Sequence, residues 1–174
     1  MLTFASPEVW DTSRLYWENY VGYYRRPDER GRYLDVGFYW PGYGYRAIQT
    51  VALYLRERTA PADSIYVWGF DPLIYHFSDR PTASRFLLSF PLMSDWAPDR
   101  WQREFIDEIK SRRPPYIVVQ HGQPGSWIVG HNIDMAVYVQ LIPAFQHLLD
   151  SDYTLETELV GNLLYRRNDT TVTP

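Results

Sequence analysis

Two segments of the sequence place polar side chains directly after strongly apolar runs. Ile65-Tyr66-Val67-Trp68 is followed by Gly69-Phe70-Asp71, and Tyr116-Ile117-Val118-Val119-Gln120 is followed by His121-Gly122. Both apolar runs have the length and the β-branched composition of buried strands. Ligands of parallel sheets bind beyond the carboxyl ends of the strands. The pattern therefore predicts that any ligand site lies between these two segments, with their strands as neighbours in the sheet.

Six side chains in or near these segments have the chemistry of ligand contacts. Arginine offers five N–H donors that suit a phosphate or a carboxylate, and aromatic rings offer stacking faces to a sugar ring. Histidine can act as an acid or a base near neutral pH, and an aspartate accepts hydrogen bonds. The candidate binding residues are Trp68, Asp71, Tyr75, Arg80, Arg85 and His121.

Each candidate also has a purely structural explanation. Trp68 would fill the space above a sheet, and Asp71 before a proline is typical of a helix N-cap. Arg80 and Arg85 would pair with internal carboxylates, and His121 would bond to a loop carbonyl. Both explanations stay open at the level of sequence.

Several classes of function are disfavoured by what the sequence lacks. The 174 residues include no cysteine, and the four histidines have neither metal-ligand spacing nor a carboxylate partner at a helical offset. No Gly-x-Ser-x-Gly elbow or phosphate-binding glycine motif occurs, so we predict no catalytic residue, no metal and no cofactor. With 17 basic and 21 acidic residues and no basic block, nucleic acid is not an expected partner. No apolar run is long enough to span a membrane.

The periodicity along the chain predicts an α/β fold. We expect a three-layer sandwich with a small, mainly parallel sheet and an antiparallel hairpin at the carboxyl end. The expected helices cover residues 45–59, 72–77, 99–112 and, in two halves broken at Pro143, 134–149; the expected strands cover 64–68, 82–88, 116–120, 153–160 and 163–167.

Three regions of different character follow from the composition. Residues 1–43 hold 12 of the 30 aromatic residues with few aliphatic ones, and we interpret them as an arm or linker that packs on the body. Residues 44–167 form the predicted α/β domain. Residues 168–174 are expected to fray.

An ordered set of motifs in residues 45–167 resembles a family of membrane enzymes. The motifs are a strand that ends in Trp68-Gly69, a short helix with Tyr75, and Arg80-Pro81-Thr82-Ala83-Ser84-Arg85-Phe86. Glu57-Arg58-Thr59 before them, and Pro114-Pro115-Tyr116, Tyr153 and Leu164-Tyr165-Arg166-Arg167 after them, are similar in order and spacing. The set resembles the soluble carboxyl-terminal region of bacterial membrane glycosyltransferases related to the protein O-mannosyltransferases and the aminoarabinose transferases.

This resemblance implies an extracytoplasmic accessory domain of a polyprenyl-phosphate-sugar-dependent glycosyltransferase. Its implied location is the periplasmic face of the bacterial inner membrane, and its implied partners are the membrane-embedded part of the same polypeptide and a lipid-linked sugar or glycan acceptor. In that family the acidic catalytic residue lies in the membrane part, so the domain is expected to lack turnover by itself. The alternative is a free-standing α/β module that binds a small ligand or a protein and has no membrane partner.

Overall fold

The structure is a computed structural model, and it describes residues 14, 17, 18, 20–22, 24–26, 44–122 and 126–169. Those described between residues 14 and 25 are helical. Most of the predicted arm over residues 1–43, and the predicted tail beyond residue 169, lie outside the described residues. The predicted packing of the arm and fraying of the tail therefore remain predictions.

Four strands form one mixed sheet in the order β1-β2-β4-β3. β1 and β2 run parallel, with Val67 opposite Val118. β4 is antiparallel to β2 and to β3, and β3 and β4 form the predicted hairpin. The strands are β1 (Tyr66–Trp68), β2 (Tyr116–Gln120), β3 (Tyr153–Leu159) and β4 (Asn162–Arg167).

Helices occupy the connections between the strands and lie close to the predicted ranges, except for two four-residue helices, Phe90–Met93 and Ser126–Val129, that were not predicted. Apolar residues at three- and four-residue spacing place one face of the first helix in the core, and a residue with left-handed conformation, Arg113, ends the fourth. The helices are α1 (Tyr45–Arg58), α2 (Leu73–Ser78), α3 (Phe90–Met93), α4 (Asp99–Arg112), α5 (Ser126–Val129), α6 (Met135–Tyr138), a 3-10 turn (Val139–Leu141) and α7 (Pro143–Asp152).

Alternating side chains of the strands bury two apolar cores, one on each face of the sheet. Val67 and Val118 face the core that contains Val51 and Leu55 of α1. The other face holds the larger core, whose members include aromatic residues of β1, α4 and α7: Tyr66, Trp68, Phe105 and Phe145. The two helical layers and the sheet between them confirm the predicted α/β sandwich, but the sheet is mixed and not mainly parallel, because two of its three strand pairings are antiparallel.

The predicted strand over residues 82–88 is wrong. Only Thr82 bridges to Ile65, in parallel orientation, and no ladder follows. The Thr82 hydroxyl donates to the Ser84 carbonyl and accepts from the Ser84 backbone N–H, and the Ser84 hydroxyl accepts from the Phe86 backbone N–H. These local bonds turn the chain away from the sheet, because serine and threonine side chains compete with neighbouring strands for backbone groups.

Over the part of the chain that the structure describes, none of the helices combines the length and the apolar composition needed to cross a bilayer.

Candidate functional site

The two polar segments singled out in the sequence meet at one edge of the sheet. β1 and β2 are parallel neighbours, so the chain leaves both at the same end. The backbone N–H of Phe70 donates to Oε1 of Gln120 over 2.9 Å, which joins the two segments directly. This confirms the predicted pairing of the strands that end at Trp68 and Gln120. We call residues 69–71 and 120–122 the strand-end edge.

A buried amide network holds the strand-end edge in one arrangement. Gln120 is fully buried, and its Nε2 donates to Oδ1 of Asn162 over 3.0 Å. Asn162 in turn donates from Nδ2 to the carbonyls of Val160, over 3.2 Å, and Leu159, over 3.4 Å. Each amide therefore has its orientation set by a backbone group, and the network extends from the β1 loop to the hairpin turn.

Asp71 is the least satisfied polar group of the strand-end edge. Its Oδ2 is buried and has no hydrogen-bond partner among the described residues. Burial raises the pKa of the Asp71 carboxyl to about 6, against the opposite effect of a hydrogen bond from Gln120. The predicted N-cap role is wrong, because Pro72 occupies the cap position of α2 and no side chain caps that helix. The carboxyl of Asp71 lies against Gln120 instead.

His121 faces a carboxylate on the other side of the strand-end edge. Its Nδ1 lies 3.4 Å from Oδ1 of Asp134, and its side chain is 46% exposed. Asp134 is fixed by the backbone N–H groups of Gly122, at 2.7 Å, and Ala136, at 2.8 Å, and it caps α6. The carboxylate lies within ion-pair distance of the imidazole, and a carboxylate beside an imidazole is an arrangement that enzymes use in proton transfer.

Trp68 does not present the predicted stacking face. The side chain is fully buried, and its indole N–H donates to the Met135 carbonyl over 2.9 Å. Its ring centroid lies 5.8 Å from that of Phe105 and 5.1 Å from that of Phe145. In this structure the residue is part of the large core, as its structural explanation required.

Tyr75 is also enclosed. Its side chain is almost fully buried, and its hydroxyl oxygen accepts a hydrogen bond from the backbone N–H of Val67 over 2.8 Å. Burial raises the pKa of the Tyr75 hydroxyl to about 12. The side chain ties α2 to β1 and offers no surface to a ligand.

All five N–H groups of the Arg80 side chain donate hydrogen bonds to groups inside the fold. Nε donates to the Thr59 hydroxyl over 2.8 Å, and the two terminal nitrogens donate to four backbone carbonyls at the ends of α1 and α2. The side chain is only 5% exposed. A phosphate or carboxylate has no donor left to bind here, and the partners are carbonyls rather than the carboxylates expected from sequence.

Arg85 is exposed, but carboxylates of α4 compensate its charge. Its guanidinium pairs with Glu104 and lies 3.9 Å from Glu108, and it covers the ring of Phe86 at 4.4 Å. The pairing with internal carboxylates matches the structural explanation for this residue. Its ionic partners belong to α4 and not to the strand-end edge.

Asp71 and His121 are thus the two sequence candidates that the strand-end edge presents with unused polar atoms or exposed surface. Sequence reasoning missed Gln120, Asn162 and Asp134 as members of the site. A glutamine at the end of an otherwise apolar strand was a usable signal for Gln120, and an aspartate before an apolar helix was one for Asp134. Asn162 could be found only from the register of β2 and β4.

The side chains of the strand-end edge and its neighbours offer chiefly hydrogen-bond acceptors. Two carboxylates and one imidazole accept donors such as hydroxyl groups, and the amide network keeps the surrounding backbone fixed. Among the described residues, no group of three or more potential metal ligands lies together.

Comparisons of the chain with protein-family models, with curated proteins and with solved structures found no match.

Proposed function

We propose that the chain is the extracytoplasmic accessory domain of a polyprenyl-phosphate-sugar-dependent membrane glycosyltransferase, without catalytic activity of its own. In this proposal it lies at the periplasmic face of the bacterial inner membrane. Its partner is the membrane-embedded part of the same polypeptide, which contributes the catalytic acid. The strand-end edge contributes hydrogen-bond acceptors for the hydroxyl groups of a glycan or a lipid-linked sugar.

The observation that supports the proposal most directly is that the residues of the family resemblance contact one another. Arg80 donates to Thr59, although 21 positions separate them. The Tyr153 hydroxyl donates to the Pro114 carbonyl over 2.9 Å, although 39 positions separate those two. Motif residues that are distant in sequence but bonded in space are expected to occur as a set, because losing one leaves its buried partner unsatisfied. The ordered set is therefore consistent with one shared scaffold.

The composition of the strand-end edge favours a ligand that donates hydrogen bonds. The buried Oδ2 of Asp71 has no hydrogen-bond partner among the described residues, and Asp134, whose oxygens also accept backbone N–H groups, brings a second carboxylate beside His121. The predicted anion grip by arginine does not fit, since Arg80 is consumed by carbonyls and Arg85 by glutamates. A polyhydroxylated sugar ring suits this edge better than a phosphate or a uronate does.

A transfer assay tests the absence of catalysis. The purified chain is incubated with radiolabelled polyprenyl-phosphate mannose or polyprenyl-phosphate aminoarabinose and with candidate acceptors. We expect no transfer above the level without protein. Measurable turnover that disappears in His121→Ala would overturn the proposal, and it would identify a catalytic site at the strand-end edge.

A binding experiment tests the role of the edge. Side-chain amide signals of Gln120 and Asn162 in ¹⁵N-labelled protein are followed while methyl mannoside, methyl glucoside or methyl galactoside is added. We expect at least one glycoside to shift these signals, and Asp71→Asn to weaken its binding about fivefold through loss of a charge-assisted hydrogen bond. Asp79→Asn, an exposed aspartate at the other end of α2, is the matched control.

The reading frame of the native gene tests the membrane partner. We expect it to encode several hydrophobic spans in the same polypeptide. A native product without such spans, in a protein that still binds a glycoside at Asp71, would favour the alternative of a free-standing ligand-binding module.

A further inference from the structure

Two segments near the strand-end edge are joined by three hydrogen bonds, and we call residues 93–97 and 127–131, which include the ends of α3 and α5, the paired loops. The first begins at the last residue of α3, and Ser89, which precedes α3, donates from its backbone N–H and its hydroxyl to the Gly69 carbonyl at the end of β1. The second lies in the connection that leaves β2. Three bonds join the paired loops: Asp95 N–H to the Val129 carbonyl at 3.2 Å, Trp96 Nε1 to the Ile128 carbonyl at 3.2 Å, and His131 Nε2 with the Met93 carbonyl at 2.9 Å.

Gly130 shows that the paired loops depend on this close fit. Its φ is +93°, a conformation that other residues adopt only with strain. A Cβ at Gly130 would lie 2.2 Å from Oδ2 of Asp95. Glycine is therefore required at position 130 for two reasons: the backbone conformation, and the short distance to the Asp95 side chain.

The paired loops present two tryptophans to solvent. The side chain of Trp96 is 60% exposed and that of Trp127 is 87% exposed. The indole N–H of Trp96 is already used by the Ile128 carbonyl, and its ring is held edge-on against Trp101 with centroids 5.9 Å apart. What Trp96 offers to a partner is thus an apolar ring surface in a fixed orientation. Trp127 adjoins Ile128 in the chain, so the two exposed rings belong to neighbouring segments that are bonded to each other.

Carbohydrate is the ligand that this chemistry fits best. The C–H face of a sugar ring packs on an indole plane, while hydroxyl groups at the ring edge need hydrogen-bond acceptors. Asp95 is exposed beside Trp96 and supplies a carboxylate, whereas the exposed Asp99 is followed by the exposed Arg100, which carries the opposite charge. The negative charge of Asp95 opposes an anionic lipid surface or an acidic glycan. The charge of this surface therefore favours a neutral saccharide over an acidic one.

We propose that Trp96 and Trp127, with Asp95, form a stacking platform for a neutral oligosaccharide. The platform adds a second contact region to the domain, in the connections that follow the strand-end edge. It deepens the proposed function, and rests on it, by naming a neutral oligosaccharide as the glycan that the domain holds. The Ile128 carbonyl and the Trp101 ring hold the indole of Trp96 in one orientation before the ligand arrives, which lowers the entropic cost of binding at that ring.

Titration calorimetry with mannotetraose, cellotetraose and chitotetraose tests the platform. We expect at least one of these neutral tetrasaccharides to bind with a dissociation constant in roughly the millimolar range or below. Trp127→Ala should weaken that binding about tenfold, and Trp127→Phe, which keeps an aromatic face, less than about threefold. Trp127 is too exposed for its replacement to unfold the chain, and circular dichroism checks this. A second variant, Trp96→Phe, should weaken binding less than Trp127→Ala does.

Trp17→Ala is the matched control, because Trp17 is another exposed tryptophan, at 66%, outside the paired loops. It should leave the affinity unchanged. Absence of binding by all three tetrasaccharides would overturn the platform, and so would binding that Trp127→Ala leaves intact. Phosphatidylcholine vesicles with and without phosphatidylglycerol are titrated in parallel. Vesicle binding that depends on Trp127, without saccharide binding, would overturn the platform in favour of membrane contact.

The platform and the proposed function fail in different ways. One outcome would support the platform and overturn the glycosyltransferase proposal. In it, Trp127→Ala loses tetrasaccharide binding, and the chain either transfers sugar itself or comes from a gene that encodes no membrane spans. If glycoside binding depends on Asp71 but not on Trp127, the binding role of the strand-end edge is supported and the platform proposal is overturned.

Discussion

The Gln120 side chain packs directly against the Cα of Gly69 at the end of the two parallel strands. A Cβ at position 69 would lie 1.9 Å from Oε1 and 2.4 Å from Cδ of Gln120. Gln120 has no freedom to move aside, since Phe70 donates to its Oε1 and its Nε2 donates to Asn162. Glycine is therefore required at position 69 by space, and the buried amide occupies the volume that a side chain would need.

Gly69→Ala should destabilise the fold by about 2–4 kcal/mol, because the added methyl group must displace a buried and hydrogen-bonded amide. Urea unfolding followed by circular dichroism measures the loss. Gln120→Ala removes the clash at the cost of the network, so the double variant Gly69→Ala/Gln120→Ala should lose less than the sum of the two single variants. Additive losses would show that the contact between these residues does not limit position 69.

Asp71→Asn should stabilise the fold at pH 7 and leave it unchanged at pH 4. Burial raises the pKa of the Asp71 carboxyl from 3.8 to about 6, so between those values the folded chain holds a proton that the unfolded chain has released. Stability therefore falls as the pH rises from about 4 to about 6. Since the Asp71 carboxylate is partly exposed, we expect its charge to lower the free energy of unfolding by only about 1 kcal/mol at pH 7. The neutral amide in Asp71→Asn removes this destabilisation.

Urea unfolding at pH 4 and pH 7 checks this prediction, with Asp79→Asn as the exposed control. An equal effect of Asp71→Asn at the two pH values would contradict the raised pKa. A gain in stability together with weaker glycoside binding would show that the carboxylate at position 71 serves a ligand at the expense of the fold.

Arg80→Lys should destabilise the fold by about 2–4 kcal/mol although it conserves the charge. A lysine ammonium cannot reach the five acceptors that the guanidinium joins, and buried carbonyls at the ends of α1 and α2 would lose their donors. Arg85→Ala should cost less than about 1 kcal/mol, because its ion pairs are exposed. Urea midpoints of the two variants, compared at low and high salt, test the contrast. Equal losses would place the two arginines in the same role.

Local patterns were sufficient for most of the secondary structure. The spacing of Ile48, Val51 and Leu55 predicts α1, and Pro98 and Arg113 bound α4 as expected. The Gly-Asn turn predicts the hairpin, which forms between β3 and β4. These features depend on neighbouring residues only, since helix periodicity and turn chemistry act over a few positions. The failure at residues 82–88 has the same cause, because local hydroxyl bonds there compete with a strand.

The fold class and the edge at which Asp71 and His121 lie could be predicted from the order of residues, because apolar runs that end in polar residues define strand ends. Which candidates face outward could be learned only from the folded chain. Arg80 and Arg85 carry the same functional group five positions apart, yet Arg80 donates to four carbonyls and a hydroxyl inside the fold and Arg85 pairs with glutamates at the surface. The difference comes from acceptors on α1 and α4, which are distant in the chain. Burial and partner choice depend on such long-range contacts, and residue type and local spacing do not contain them.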